Sequence, residues 1–417
     1  MSPDTLAASV MIPRTRADAL QALHDFLPLA PDYARVRNQV RPPSHDNVSR
    51  LSFALRRRLI TEDEVAAATL EAHPFAAVEK WLQEVWWRRY WKGWLELRPG
   101  VWSSWLDSVD EDLTHHPSAV LKRARAVCEG RGGVAVMDGF TRELIRTGYL
   151  HNHARMWWAA YWTHTEGLPW MLGAAFFYRH LIDADPASNT LSWRWVAGLQ
   201  TPGKTYLARR SNLEKYLSGP VDWSGADRLD DDKARPSQQW DPSETEVRPL
   251  ADAATALPAM AAPAGLWVHE DDLSVECAAE LRGFKPDKIL LWQDGYLDGL
   301  LPPGEPARDA AAGAIEDARQ RLSAWSGAPV ELSGGADPAT EIAFWALKHE
   351  LRFVVAMRPF CGPLGDLAAS VEGTLRPLGI NMIWLRRASD AKGLPRARRG
   401  FFPFWDGARR RGGQELV

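Results

Sequence analysis

The chain has 417 residues and 46% of them are hydrophobic, enough to build real cores and too much for a disordered or collagen-like chain. Lys and Arg number 50 against 53 Asp and Glu, a net charge of −3, so any nucleic-acid site must be a local patch rather than a property of the whole molecule. Tryptophan is the anomaly: there are 21 Trp against 8 Tyr, and 13 of the Trp fall between Trp81 and Trp195. Cys128, Cys277 and Cys361 lie far apart with no CxxC spacing, which supports neither a disulfide framework nor a cysteine-based metal site. Polar residues interrupt every apolar run of the first twenty residues, and no window has the 18 or so apolar residues of a membrane span. The expectation is a cytoplasmic protein with no membrane and no metal.

From Ala17 to about Leu217 apolar residues recur at three and four, which predicts an all-α half. RADALQALHDFL, TEDEVAAATLEA, AAVEKWLQEVWWRRYWKGWLEL, GFTRELIRTGYLHNHARMWWAAYW and MLGAAFFYRHLID are its clearest segments. Between Gly219 and Ala264 the composition shifts to Pro, Asp, Ser and Ala with little periodicity, the mark of a linker. Beyond it the short runs GLWVH, KILLW, VEL, FVVAM and INMIWLR alternate with amphipathic stretches, among them VECAAELRG, which predicts βαβ units on a parallel, Rossmann-like sheet. No GxGxxG or GxxxxGK[ST] accompanies them, so this α/β region carries no nucleotide signature of its own. The domain reading is a helical lead-in over 1–30, an all-α domain over 31–218, a linker over 219–264 and an α/β domain over 265–417.

Four constellations carry chemistry. Ser49, Arg50, Leu51 and Ser52 precede a helical run, and hydroxyls and a guanidinium at a helix start suit a diphosphate, although Ser in such a place is commonly only a cap. In WLQEVWWR, Trp81, Glu84 and Arg88 share one helix face with Trp87 at its margin. A solvated ion pair beside core tryptophans explains Trp81, but leaves Trp86 and Trp87 to be buried on adjacent bearings of one helix. In HNHARM, Asn152, Arg155 and Met156 share a face, and the two His lack metal-ligand spacing. In LIDADPASNTLSWRW, Asp185 caps a helix that Pro186 begins, with Asp183 before it and Asn189, Trp193 and Trp195 after it.

In order and spacing these blocks, with LPW around Trp170 and YARVRN from Tyr33, resemble the FAD-binding helical domain of the DNA photolyase/cryptochrome family over roughly half the chain. The resemblance implies bound FAD, with Tyr33, Ser49, Arg50, Leu51, Ser52, Trp81, Arg88, Asn152, Arg155, Asp183, Asp185 and Asn189 around it. Val48 stands where the family commonly has a hydroxyl residue. Arg155 would pair with Asp183, and Asn189 would face flavin N5, where plant cryptochromes typically carry Asp and insect ones Cys. Glu84, Trp87, Asn152, Met156 and Trp195 match residues that line the lesion pocket of cyclobutane-dimer photolyases, and Trp170 and Trp193 match the inner members of an electron-transfer chain whose outer member has no aromatic counterpart here. The implied partner is damaged DNA, with a flipped dimer stacked on indoles, and the implied activity is light-driven dimer repair by a deoxyribodipyrimidine photolyase. The alternative is a cryptochrome-like receptor that signals and does not repair. The antenna pigment is open, because the family's usual α/β domain comes first and here the α/β region comes last; its GLWVHEDDLSV and RRGFFPFW resemble parts of a displaced antenna domain.

Overall fold

The computed structural model describes residues 12–200, 205–230, 234, 245–260, 262–292, 300–335 and 337–409. Among them the first half is helical: α1 (Arg16–Phe26), α2 (Tyr33–Val36), α3 (Ser52–Arg56), α4 (Glu62–Ala72), α5 (Phe75–Glu96), α6 (Gly100–His115), α7 (Ser118–Cys128), α8 (Ala135–Thr147), α9 (Asn152–Ala160), α10 (Trp170–His180), α11 (Pro186–Val196) and α12 (Arg210–Tyr216). Local chemistry sets the ends. Thr61 and Glu64 form a reciprocal capping box at α4. Asp185 caps α11 by accepting from the Ser188 N–H at 2.9 Å, with Pro186 at the first helical position. The segment read as one stretch from Gly139 to Trp162 is broken at Gly148, whose φ of +69° closes α8 and whose place no side chain could take, since a Cβ there would lie 2.4 Å from Ile182 Cγ2.

The second half is a five-stranded parallel sheet, β1 (Ala264–Val268), β2 (Lys288–Trp292), β3 (Val330–Ser333), β4 (Phe353–Met357) and β5 (Asn381–Leu385), in the order β3-β2-β1-β4-β5. The crossover helices are α13 (Glu305–Ser326), α14 (Pro338–Lys348) and α15 (Pro363–Leu375), and α16 (Ala388–Gly393) and α17 (Phe401–Arg409) follow. The central strands are apolar throughout because both faces are covered. Leu266, Val268, Ile289, Leu291 and Val355 join the core of the helical half, while Trp267, Leu290, Trp292, Val354 and Ala356 pack in a second core with α14 and α15. VECAAELRG forms two short 3-10 turns, Val275–Cys277 and Ala279–Leu281, rather than a helix. Just before them the Leu273 N–H donates to the Arg57 carbonyl at 3.0 Å, tying the chain to the helical half. The supposed linker is partly packed: Leu250, Leu257 and Met260 lie against the core, and Ala254 bridges to Leu385.

The two halves meet through buried charges. Arg56 donates to Asp271 at 2.6 Å and Glu270 at 3.2 Å, and Arg57 donates to Glu270. Arg58, held at φ +48°, reaches Asp390 at 2.5 Å and Asp272 at 3.4 Å. Arg387 and Asp390 belong to this network, since Arg387 forks onto both oxygens of Asp272 at 2.7 and 2.8 Å. Burial pushes the Asp272 carboxyl up, but Arg387 and Arg58 outweigh it and hold it at about 2.

Glu96, the last residue of α5, behaves in the opposite way. Burial pushes its carboxyl up to about 7, only partly offset by the Cys361 N–H that donates to it and by Arg386 and Arg358. In the unfolded chain this group ionises near its ordinary 4.5, so between about 4.5 and 7 the native state holds a proton that the unfolded state has lost, and stability falls as pH rises through that window. Glu96→Gln is therefore expected to flatten this slope and to be more stable than the parent above pH 7, as read by urea midpoints across the range; parallel profiles for the two proteins would refute it.

Candidate functional site

A cavity of about 520 Å³ opens in the helical half, within the ~300–1,000 Å³ of ligand pockets. Its walls come from α2, the loop into α3, α5, α9 and α11. Helical spacing does the first part of the work: Trp81, Glu84 and Arg88 of α5 line one side, and Asn152, Arg155 and Met156 of α9 another. Tyr33 stands edge-on to Trp81 with ring centroids 5.3 Å apart. Burial, reinforced by Glu84, raises its phenol well beyond the usual range, which keeps it neutral.

Two strained turns supply the rest. Ser49, Arg50, Leu51 and Ser52 line the cavity as the chain enters α3, with Arg50 at φ +55°. Ala184, between Asp183 and Asp185, sits at φ +27°, and both flanking carboxylates line the cavity. Positive φ is uncommon away from glycine and costs on the order of 1–3 kcal/mol, a strain that gathers at functional sites. Arg155 holds Asp183 through Nη1 at 3.1 and 3.3 Å, and Arg88 stands 3.6 Å from Asp183 and 3.5 Å from Asp185. Burial acts to raise the Asp183 pKa, and Arg155 and Arg88 more than reverse it, so the carboxylate stays ionised.

Asn189 donates its amide nitrogen to the Ala174 carbonyl at 2.9 Å, which leaves the side-chain oxygen as its acceptor toward the cavity. Behind it Trp193, also on the cavity wall, meets Phe177 at 5.2 Å and Trp158 at 6.1 Å, and Trp158 stacks on Trp162 at 5.3 Å. Trp170, fully helical at the start of α10, is buried away from the cavity wall.

Trp87 and Trp195 do not line this cavity. Trp87 lies face to face with Phe401 of α17, centroids 3.8 Å apart and planes 10° from parallel, and Trp86 meets Trp405 of the same helix at 6.4 Å. Thus of the two adjacent indoles of α5 Trp86 is buried and Trp87 is half-buried with one face on Phe401. Trp195 packs on Tyr206, which does reach the cavity. Glu84 is not a free acceptor: its Oε1 lies 2.9 Å from Arg37 and 2.8 Å from Lys80.

Sequence reasoning missed Arg37, Tyr149, His151, His153, Tyr206 and Asn212 on the wall. Burial, then His45, His153 and Arg155, push His151 down to about 3, so it is neutral, and His153 is bonded to Asn38 O and Tyr206 Oη. Among the described residues no cluster of His, Cys, Asp or Glu could hold a metal ion, and no helix is long and apolar enough to cross a membrane. Of the basic residues of α7, Arg123 is committed to Glu166 at 2.6 Å, while Lys122 and Arg125 are exposed.

The donor set fits the cofactor that the resemblance implies. Arg50 has a buried Nε without a partner at the loop suited to a diphosphate, and Asp183, Asp185, Arg88, Arg155 and Asn189 supply both donors and acceptors for the edge of a polar ring.

Residues 81–217 match the family described as the FAD binding domain of DNA photolyase. Among curated relatives, the deoxyribodipyrimidine photo-lyase of Vibrio cholerae is 26% identical over 49% of this chain and 47% of its own length. That of Thermus thermophilus is 33% identical over 45% of this chain and 44% of its own. A cryptochrome DASH of Natronomonas pharaonis is 40% identical over 22% of this chain and 19% of its own. The chain thus spans less than half the length of these relatives. Of solved structures, a class III photolyase from Agrobacterium tumefaciens superposes with a TM-score of 0.41 at 24% identity, over 48% of this chain and 42% of that one.

Because Asp183 has a depressed pKa, its contribution to stability is present above its ordinary 3.8 and is lost as pH falls through the lower native value. Arg155→Ala leaves Arg88 as the remaining cation, so the loss should be smaller than the ~3–5 kcal/mol of a wholly broken buried pair. Acid unfolding followed by far-UV circular dichroism should move to higher pH in this variant; an unmoved transition would show that the pair is not what holds the Asp183 charge.

Proposed function

The helical half of this chain belongs to the photolyase/cryptochrome family, and from that premise we propose that the protein binds FAD in the helical cavity and repairs cyclobutane pyrimidine dimers in DNA under blue light. The observation that carries the reading is the joint presence, on one cavity wall, of the Arg155–Asp183 pair, Asp185 and Asn189 at one side and Glu84, Asn152 and Met156 at the other.

When bound, FAD supplies light-driven one-electron chemistry. The chain's own residues do the rest. Ser49, Arg50, Leu51 and Ser52 would hold the diphosphate and the sugar-like chain through hydroxyls, backbone N–H groups and the guanidinium. Asp185, already a helix cap, would offer its second oxygen as an acceptor to a ring N–H, while Arg155 and Arg88 keep Asp183 ionised. The Asn189 oxygen would accept a hydrogen bond from a protonated ring nitrogen without adding a charge. Trp193, Trp158 and Trp162 form a buried file of indoles leading away from the cavity, suited to carry an electron inward. On the open side Glu84, Asn152 and Met156 meet the extruded lesion, whose poor pairing makes extrusion inexpensive.

A photoreceptor without repair is the second reading, and one observation favours it. Trp87, whose indole the repair reading needs as a stacking platform, lies outside the cavity wall and has one face taken by Phe401. The two readings separate on one assay. The reduced, FAD-loaded protein is illuminated with an oligonucleotide carrying one thymine dimer, and recovery of thymine absorbance is followed. Repair is expected; a flavin-replete protein that restores no thymine would sink the enzymatic reading. Glu84→Ala should keep FAD content and lower the repair yield, whereas Arg155→Ala should lower the flavin content itself.

A further inference from the structure

The strand order reverses between β1 and β4, and the crevice beyond the carboxyl ends of two such strands is where open parallel sheets ordinarily take their ligands. Here protein fills it. Glu270 and Asp271 leave the end of β1, and Gly362 follows β4. Arg56 enters from the helical half and donates to both acids. The void that remains is about 10 Å³, room for one water at most, and Asp185 and Pro186 of the helical half complete its wall.

Those last two residues begin α11 and flank the strained turn on the cavity wall. The contact is close: a Cβ on Gly362, whose φ is +149°, would lie 2.7 Å from Pro186 Cγ. Arg56 is likewise shared. Burial opposes its charge, and Asp271, Glu270 and Asp185 together more than restore it. Helix α3, which carries Arg56 at its end, carries Ser52 of the cavity at its start.

We infer that the α/β half uses its switch point as a positioning element for the cofactor cavity: Glu270 and Asp271 hold Arg56 against the Asp183–Asp185 turn, and Gly362 seats Pro186. The acidic wall of the cavity is thereby set from the other half of the chain. Asp271 and Gly362 touch no part of the cavity, so they are positioning residues that act through Arg56 and Pro186.

This rests on the reading that the cavity holds FAD, and the test keeps the two apart. In the full chain, Asp271→Asn removes a charge at nearly constant shape, and Gly362→Ala leaves every charge in place while pressing on Pro186. The control is Glu331→Gln at the far sheet edge, where Glu331 pairs with Lys348 at 2.8 Å. Far-UV circular dichroism checks folding, equilibrium dialysis gives the Kd for FAD, and visible circular dichroism reports the surroundings of the bound ring. Each positioning variant is expected to weaken FAD by roughly tenfold or more, the worth of one charge-assisted hydrogen bond, and to change the visible spectrum. The control should stay within about twofold, as a surface pair is worth little. A folded Asp271→Asn or Gly362→Ala protein with the parent's Kd and spectrum overturns the inference and leaves FAD binding standing. A parent chain that binds no FAD overturns both.

Discussion

Three consecutive arginines facing three consecutive acids organise this molecule. Arg56, Arg57 and Arg58 close α3, Glu270, Asp271 and Asp272 follow β1, and the pairs that bond across the two halves are 213 or more residues apart in the chain. Removing so many charges from water costs several kcal/mol for each ion, and hydrophobic residues of equal volume could serve net stability as well. What the ions supply is register. A guanidinium fork accepts one carboxylate geometry and not its neighbour's, so α3 can meet the sheet in only one way. Because α3 is five residues long, that fixed end lies little more than one turn from the loop that lines the cavity.

Much of this was legible in the sequence where the signal is local. The five strands lie on the five apolar runs that alternate with amphipathic stretches, because a strand covered on both faces is apolar throughout. The shared faces of Trp81, Glu84 and Arg88, and of Asn152, Arg155 and Met156, follow from helical geometry alone. So does the cap at Asp185. VECAAELRG misled because its periodicity is helical while the backbone there is pinned to Arg57 through Leu273. The position of Trp87 was beyond reach for a different reason: its ring partner lies in the last described helix, and helical bearing says which side a residue takes but not what comes to meet it. The complementary RRR and EDD triplets stood in plain view and would have announced the junction had charge runs been compared across the chain.

Part of the tryptophan surplus answers to the same junction. Trp102 on α6 donates to Asp366 on α15 at 2.9 Å, Trp405 on α17 donates to Glu79 on α5 at 3.2 Å, and Trp86 and Trp87 pack against α17. An indole brings a large apolar body with one N–H at its rim, so it can seal a contact between layers and still satisfy a carboxylate there. The file formed by Trp158, Trp162 and Trp193 is separate from this, wholly within the helical half and with its inner end at the cavity.

The stack of Phe401 on Trp87 spans 314 positions of sequence, 401 less 87. During synthesis the helical half is made before the sheet, and for all the time needed to make the sheet Trp87 lacks its Phe401 partner and Arg56 and Arg57 lack Glu270 and Asp271. Loop closure over such a distance is slow to be rewarded. Until then the helical half is a waiting surface rather than a finished body. The same sequence order makes α17 the piece whose arrival covers α5.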